Sequence, residues 1–375
     1  MAPRFQSVSE ERAFRPGVER DAGMPGQIVQ SLLDTDFYKF TMGQFVFRRY
    51  AEVPVRYRLI VRSQGAGLAA RVPEADLRRE LDHIRSLSLT PGELAYLEGI
   101  AVAGQRIFRP DYLAYLERLR LSPYLLQREG DTYRLEFEGP WAEAIYWETP
   151  ALAVVSELYY KALAEEGAKT RDGGWREIGD AVLDRKVETL SRHPEIAFSD
   201  FGTRRRFSRA WHEHVLRRLQ SELPRQFLGT SNVFFAMKLG LPPVGTIAHE
   251  LFMGVAGLMH ERDEAVRESQ HRILQEWWED YGAGLSIALT DTYGSDYFFR
   301  TVKDEHVRAW RGLRQDSGDP FSYGEKAIAF YKSRGVDPRE KLVLFTDGMD
   351  VDSMVALAGR FAGRLKVAFG WGTNL

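Results

Sequence analysis

The chain has no cysteine among its 375 residues. That removes disulfide cross-links, thiolate nucleophiles and thiolate-bound zinc or iron–sulfur centres. No apolar run approaches the roughly 20 residues of a spanning helix. The first 26 residues carry Arg4, Glu10, Glu11, Arg12, Arg15, Glu19, Arg20 and Asp21 and no apolar stretch of a secretory leader. These features point to a cytoplasmic protein with no membrane partner. Nor is there an excess of either charge: 51 basic against 53 acidic residues leave −2, which speaks against nucleic acid as the main ligand. What is present is apolar material, 44% of residues, enough for a sizeable core.

At about 150 residues per domain the length predicts two to three units. Residues 1–26 read as a flexible N-terminus. Residues 27–150 read as an α+β domain. In it Val55, Tyr57, Leu59 and Val61 alternate with arginines, as do Tyr133, Leu135 and Phe137 with polar residues, the period of half-buried strands. Between them Thr90-Pro91-Gly92-Glu93 has the pattern of a capped helix start. Residues 151–375 change character, with seven β-like runs alternating with helical stretches: Ile196–Ser199, Gln226–Leu228, Val244–Ile247, Leu285–Leu289, Arg311–Arg314, Leu342–Phe345 and Lys366–Phe369. Repeated βα order predicts a parallel sheet, which gathers its chemistry at the carboxyl ends of the strands. The last run is followed by no helix, so another segment closes the sheet or the chain is truncated there.

At those ends stand Asp200, Gly229-Thr230-Ser231-Asn232, His249-Glu250, Asp291, Asp316-Ser317-Gly318-Asp319, Asp347-Gly348 and Gly370 with Gly372-Thr373-Asn374. Carboxylates, hydroxyls, one histidine and glycines suit a metal-assisted phosphate enzyme. Each alone also serves as a helix cap or turn. Arg204-Arg205-Arg206 predicts an anion partner for at least one guanidinium, with pairing to Glu213 as the plain alternative. His249-Glu250 lacks the second histidine of a zinc protease, since position 253 is Met. His260 lies about 16 Å further along a helix, too far to share a metal. His212 and His214 read as surface or packing residues. In Arg314 to Pro320, Asp316 and Asp319 suit Mg²⁺ or ribose hydroxyls, or a turn and cap. Leu32 to Lys39 reads as an acidic turn leading into a helix, with Phe37, Phe40 and Phe45 in the core.

Seven segments in order resemble the nicotinate phosphoribosyltransferase family: LLDTDFYKFTM (32–42), DFGTRRRFS (200–208), GTSNVFFAMKLGLPPVGTIAHE (229–250), LTDTYGSDYF (289–298), LRQDSGDP (313–320), LVLFTDGMD (342–350) and FGWGTNL (369–375). The resemblance implies a type II phosphoribosyltransferase, an irregular parallel α/β barrel joined to an open-faced N-terminal α+β domain. It implies transfer of phosphoribosyl from 5-phosphoribosyl 1-diphosphate to nicotinate in NAD salvage, with ATP as co-substrate, Mg²⁺ as cofactor and a homodimer with shared sites. In such an enzyme His249 is the phosphorylated histidine, with Glu250 a candidate to orient its ring. Asp316 and Asp319 face ribose and metal, and Asp291 helps hold the phosphoribosyl group. Gly348, Gly372 and Thr373 cradle its 5-phosphate. Nicotinate lies between Phe201 and Tyr38, the latter from the second subunit, with Arg204, Arg314 and Thr246 on the ring and its carboxylate. Relatives continue past the final GTNL.

Two other enzymes and one non-enzyme stay open beside this. A nicotinamide-using relative would have an Asp where Ser231 stands. A quinolinate-type enzyme would not account for the His249 motif, and a catalytically dead sugar-phosphate binder would not account for the persistence of Asp316, Asp319, His249 and Arg314.

Overall fold

The computed structural model describes residues 26–62, 67–168 and 174–375. All but the last residue of the expected flexible N-terminus lie outside them. Among the described residues five strands precede the parallel region: β1 (Pro54–Arg58), the short arms β2 (Ala101–Val102) and β3 (Gln105–Arg106), β4 (Tyr124–Glu129) and β5 (Thr132–Pro140). β1, β5 and β4 form an antiparallel sheet in that order, and the alternation around Tyr57 and Tyr133 is the period of β1 and β5. β4 shows no such alternation; its register comes from the hairpin through Gly130, whose φ of +65° suits glycine. The capped start holds: Thr90 and Glu93 form a reciprocal capping box on the helix Pro91–Gly99.

The parallel sheet contains β6 (Phe198–Asp200), β7 (Phe227–Thr230), β8 (Ile287–Leu289), β9 (Gly312–Gln315), β10 (Leu342–Phe345) and β11 (Lys366–Trp371), ordered β7-β6-β11-β10-β9-β8. From β8 to β11 each strand lies beside its successor, and the last pairs with the first of the set, β6, which in turn pairs with β7. That is the cyclic order of an α/β barrel with one unpaired step, between β7 and β8. The final strand is therefore not an edge: it pairs with β10 on one side and β6 on the other.

The expected strand Val244–Ile247 is not one. Pro242 and Pro243 have no N–H to give a ladder, and Gly245 has φ +145°. Only a single bridge, Thr230 to Pro243, remains. The segment lies against β7 all the same: a Cβ on Gly229 would collide with the Pro242 carbonyl.

The two units are sewn together by residues 33–37 and 231–234. Phe37 N–H donates to Ser231 O at 2.7 Å, Val233 N–H to Thr35 O at 3.0 Å and Phe234 N–H to Leu33 O at 2.8 Å. Phe37, Phe40 and Phe45 are buried as expected, on the helix Phe37–Tyr50.

Gly312 on β9 has no room for a side chain, because a Cβ there would meet the Leu342 carbonyl of β10. Gly312→Ala should lower unfolding stability by about 1–3 kcal/mol, the usual range for overpacking. A denaturant or thermal melt with an unshifted midpoint would contradict that packing.

Candidate active site

At the carboxyl ends of β8, β9 and β10 one connected cluster forms. His249 opens the helix His249–Leu258. Its Nε2 is 2.9 Å from Asp291 Oδ1 and its Nδ1 is 3.6 Å from Asp316 Oδ2. Asp291 also accepts from Ser317 Oγ at 2.5 Å. Arg314 donates from Nη2 to Asp316 Oδ1 at 2.9 Å, from Nε to Thr346 Oγ1 at 3.0 Å and from Nη1 to Ile247 O at 3.2 Å, while Thr346 Oγ1 also bonds Asp316. Burial alone would raise the Asp291 carboxyl, but hydrogen bonds from His249 and Ser317 outweigh it and hold it below the usual range. Asp347 has no such relief. Burial and the charges of Asp316 and Asp291 push its carboxyl up, against a smaller pull from Arg205.

The second cluster surrounds Arg204. Its Nη1 donates to Glu148 Oε1 at 3.1 Å, its Nε lies 3.4 Å from Asp36 Oδ2, and its guanidinium carbon sits 5.8 Å from the Tyr38 ring centre. Ser231 Oγ donates to Asp36 Oδ1 at 2.7 Å. Tyr38 Oη reaches Glu148 at 3.4 Å. Thr246 borders this side through its carbonyl, which accepts from Thr41 Oγ1 at 2.9 Å. Phe201 packs on the α-carbon of Gly370 beside the Thr346 methyl, so it adjoins the first cluster. Among the described residues the Phe201 and Tyr38 rings make no mutual contact. Tyr38 lies beside Arg204 of the same chain.

A third group joins the loops after β10 and β11. Arg205 donates to Thr373 Oγ1, and Asn374 Nδ2 donates to Gly348 O at 3.3 Å and Met349 O at 3.2 Å. Gly348 has φ +60°, and a Cβ on Gly372 would stand 2.7 Å from Phe201 O. Gly348, Gly372 and Thr373 are thus drawn together.

The three arginines separate: Arg204 to Glu148, Arg205 to Thr373, and Arg206 to buried Asp34. Glu213 pairs instead with Arg217 and Lys238. Asp319 is exposed and caps the helix Pro320–Ser333 through Ser322 N at 2.7 Å. Glu250 does not orient His249; it bonds Lys39, Tyr57 and Trp141. His212 is buried, with Nε2 2.8 Å from Asp200 Oδ2, and so steadies the loop that begins at Phe201. Reading the sequence missed Glu148, Lys39, Asp36 and Thr346 as site residues. Asp36 and Lys39 stand in the LLDTDFYKFTM segment already singled out, but their partners lie more than 100 positions away.

Among the described residues no three His, Asp or Glu side chains form a set that could hold a metal ion by themselves. The donors nonetheless suit a hard cation completed by substrate oxygens, because Asp291 and Asp316 meet on the two ring nitrogens of His249 with Asp347 close enough to feel both charges, a set of hard carboxylate oxygens.

The sequence profile of the nicotinate phosphoribosyltransferase (NAPRTase) family matches residues 196–375, and that of its N-terminal domain matches residues 33–156. The chain belongs to the nicotinate phosphoribosyltransferase family. It is similar to the crystal structure of nicotinate phosphoribosyltransferase from Vibrio cholerae, with 35% identity and a TM-score of 0.81 over 93% of this chain and 81% of that one. The enzyme of that name from Porphyromonas gingivalis is 30% identical, with a TM-score of 0.80 over 93% and 85% of the two chains. The parallel sheet and N-terminal domain are those of the family, and the chain is an enzyme of this phosphoribosyl-transferring class. No helix among the described residues is long and apolar enough to cross a membrane.

Burial would raise the Glu148 carboxyl, but the charges of Lys39 and Arg204 outweigh it and hold it at about 2, below the ordinary 4.5. A depressed carboxylate stabilises the fold above its unfolded value, and that contribution fades as pH falls from 4.5 toward 2. Glu148→Gln should therefore flatten the loss of stability over that window. An unchanged pH slope in acid titration of the melting midpoint would remove Glu148 from the ion-pair account.

Proposed function

We propose that the chain transfers phosphoribosyl from 5-phosphoribosyl 1-diphosphate to nicotinate, giving nicotinate mononucleotide and pyrophosphate, with ATP hydrolysis coupled through His249. The observation that carries this reading is Arg204: a guanidinium beside an aromatic ring, whose Nη2 makes no hydrogen bond among the described residues. It offers a donor to a planar aromatic carboxylate. Ser231 supports the acid over the amide, since its hydroxyl does not repel a carboxylate.

The pyridine nitrogen is already a nucleophile and needs no general base. The difficult step is departure of pyrophosphate from the anomeric carbon as positive charge grows on the ribose. Asp291 and Asp316, fixed by Ser317, Arg314 and Thr346, supply negative charge that is in place beforehand. Arg314 serves both the ring side and Asp316. Tyr38 and Phe201 border the ring, with the Thr246 backbone alongside. Gly348, Gly372 and Thr373, with Arg205 beside them, receive the 5-phosphate through backbone amides and a guanidinium. Mg²⁺, which Asp316 would help hold with its neighbours Asp291 and Asp347 and the diphosphate, would neutralise the leaving group, whereas Asp319, expected beside it, caps the helix Pro320–Ser333.

His249 takes the phosphoryl group. With Nε2–H given to Asp291, Nδ1 keeps its lone pair and attacks the γ-phosphorus of ATP. The bond to the bridging oxygen breaks, ADP leaves, and water later releases inorganic phosphate. The homodimer and the cytoplasmic setting belong to the same reading; Met253 and Leu258, 62% and 43% exposed on His249's own helix, are apolar surface that a second copy would cover.

The test is product formation from labelled nicotinate or nicotinamide, with and without ATP. Nicotinate mononucleotide formed faster with ATP is expected; the amide product alone would overturn the reading. Ser231→Asp should weaken nicotinate use roughly 5- to 150-fold, the range that 1–3 kcal/mol of like-charge repulsion represents. Unchanged nicotinate kinetics would detach Ser231 from specificity. His249→Asn should abolish ATP hydrolysis and its stimulation while a slow ATP-independent transfer persists. A phosphoryl adduct in that variant by intact mass would move the acceptor elsewhere.

A further inference from the structure

One charged side chain near both clusters takes no part in the chemistry above. Lys39 is fully buried, its side chain 0% exposed, and its ammonium lies 2.5 Å from Glu148 Oε2 while also bonding Glu250 Oε2. Each partner leads to a different cluster. Glu148 spends its other oxygen on Arg204. Glu250 spends its other oxygen on Tyr57 and on Trp141 Nε1 at 3.1 Å, and is the second residue of the helix that His249 opens. The series Arg204, Glu148, Lys39, Glu250 is therefore a continuous run of alternating charge from the ring site to the His249 helix.

We propose that Lys39 is a positioning residue that keeps Arg204 available to the substrate carboxylate and anchors the start of the His249 helix. This rests on the reading of the ring site given above. The argument is one of shared charge. Two cations and two anions alternate along the series, and Asp36 adds a further carboxylate 3.4 Å from Arg204 Nε. Glu148 divides its attraction between Lys39 and Arg204. Without the ammonium, Arg204 is the one cation left to Glu148 among the described residues, and with Asp36 on its other side the guanidinium turns inward. An incoming carboxylate then competes with a fully committed ion pair. On the other side, Glu250, with its side chain 18% exposed, would lose the one cation it pairs with among the described residues, and the helix start would keep the Ala248 N–H bond to Met42 Sδ at 3.2 Å but lose its charged tie to the helix Phe37–Tyr50. Because one ammonium serves both carboxylates, a carboxylate docking on Arg204 also shifts the balance felt by Glu250, one residue from His249.

The test uses the full chain with Lys39→Met, which keeps the stem and drops the charge, Lys39→Arg, which keeps the charge, and Lys39→Met/Glu250→Gln. The double variant removes one cation and one anion together, so it leaves no unbalanced buried carboxylate where Lys39→Met alone fails to fold. Steady-state kinetics are read with amide hydrogen exchange at Leu251 and Phe252, which needs no substrate. The nicotinate KM should rise about tenfold or more in both Met variants with a smaller change in kcat, as expected for lost ground-state binding. Exchange at the helix start should quicken in the same variants. Lys39→Arg should restore most of both effects. A folded Met variant with unchanged KM and unchanged exchange, or a lower melting midpoint with no kinetic change, would overturn the proposal. Absence of nicotinate turnover in the unaltered chain would sink the proposed substrate instead, and the exchange measurement would still decide whether Lys39 anchors the helix.

Discussion

An ion pair that water hardly reaches, Asp34 with Arg206, sets the position of Asp36, Tyr38, Arg204 and Ser231 in the second cluster. Arg206 places Nη1 2.6 Å and Nη2 2.9 Å from the two Asp34 oxygens and gives Nη2 to Ile28 O at 3.1 Å. Asn232 adds Nδ2 at 2.7 Å. Burying two charges costs several kcal/mol per ion before the bidentate geometry offsets it, so what the pair contributes is register. Three separate stretches meet there: the turn leading to the helix Phe37–Tyr50, the loop after β6, and the start of the helix after β7. Asp36 and Tyr38 are two and four residues from Asp34, Arg204 is two from Arg206, and Ser231 adjoins Asn232. Burial works to raise Asp34, yet Arg206, Arg209 and Asn232 hold it ionised, so the clamp keeps its charge.

The strand-end cluster is organised by the opposite principle. Asp291 and Asp316 have their charges met by His249, Ser317, Arg314 and Thr346, while Asp347 remains under their repulsion. Rigid partners prevent the carboxylates from moving apart. The residual negative potential is thus paid for by folding and is present before any ligand arrives. Arg314 is itself tied at three points, to Thr346, Ile247 O and Asp316.

Much of this was legible in the sequence where the signal is local. The strand ends of β8, β9 and β10 follow from short apolar runs closed by Asp291, Asp316 and Asp347, and the capping box follows from Thr90 and Glu93. The resemblance carried His249, Arg314 and Arg204 to positions that the structure draws into clusters. Long-range pairing was illegible. Nothing near Lys39 announces Glu148 or Glu250, and a lysine in an amphipathic helix reads as surface. His212 likewise reads as a helix-face residue until Asp200, twelve positions earlier, is folded onto it. β4 escaped because a strand paired on one side by a hairpin needs no alternation of its own. Val244–Ile247 was misread because its apolar content outweighed the two prolines before it.

The break in the sheet at Val244–Ile247 brings the two clusters onto one segment. A regular strand in the gap between β7 and β8 would commit its carbonyls to neighbouring strands. The prolines at 242 and 243 deny it a ladder beyond the bridge to Thr230, and the carbonyls that follow are left for side chains. Thr246 O accepts from Thr41, on the helix that holds Tyr38 and Lys39. Ile247 O accepts from Arg314, on β9. Gly245 lets this backbone pass close to Tyr38, since a Cβ there would stand 3.3 Å from its amide nitrogen. Two residues after Ile247 comes His249. The gap between β7 and β8 is therefore bordered by a stretch of backbone that touches the helix Phe37–Tyr50, the Arg314 cluster and the histidine in succession, because its carbonyls are free of a ladder.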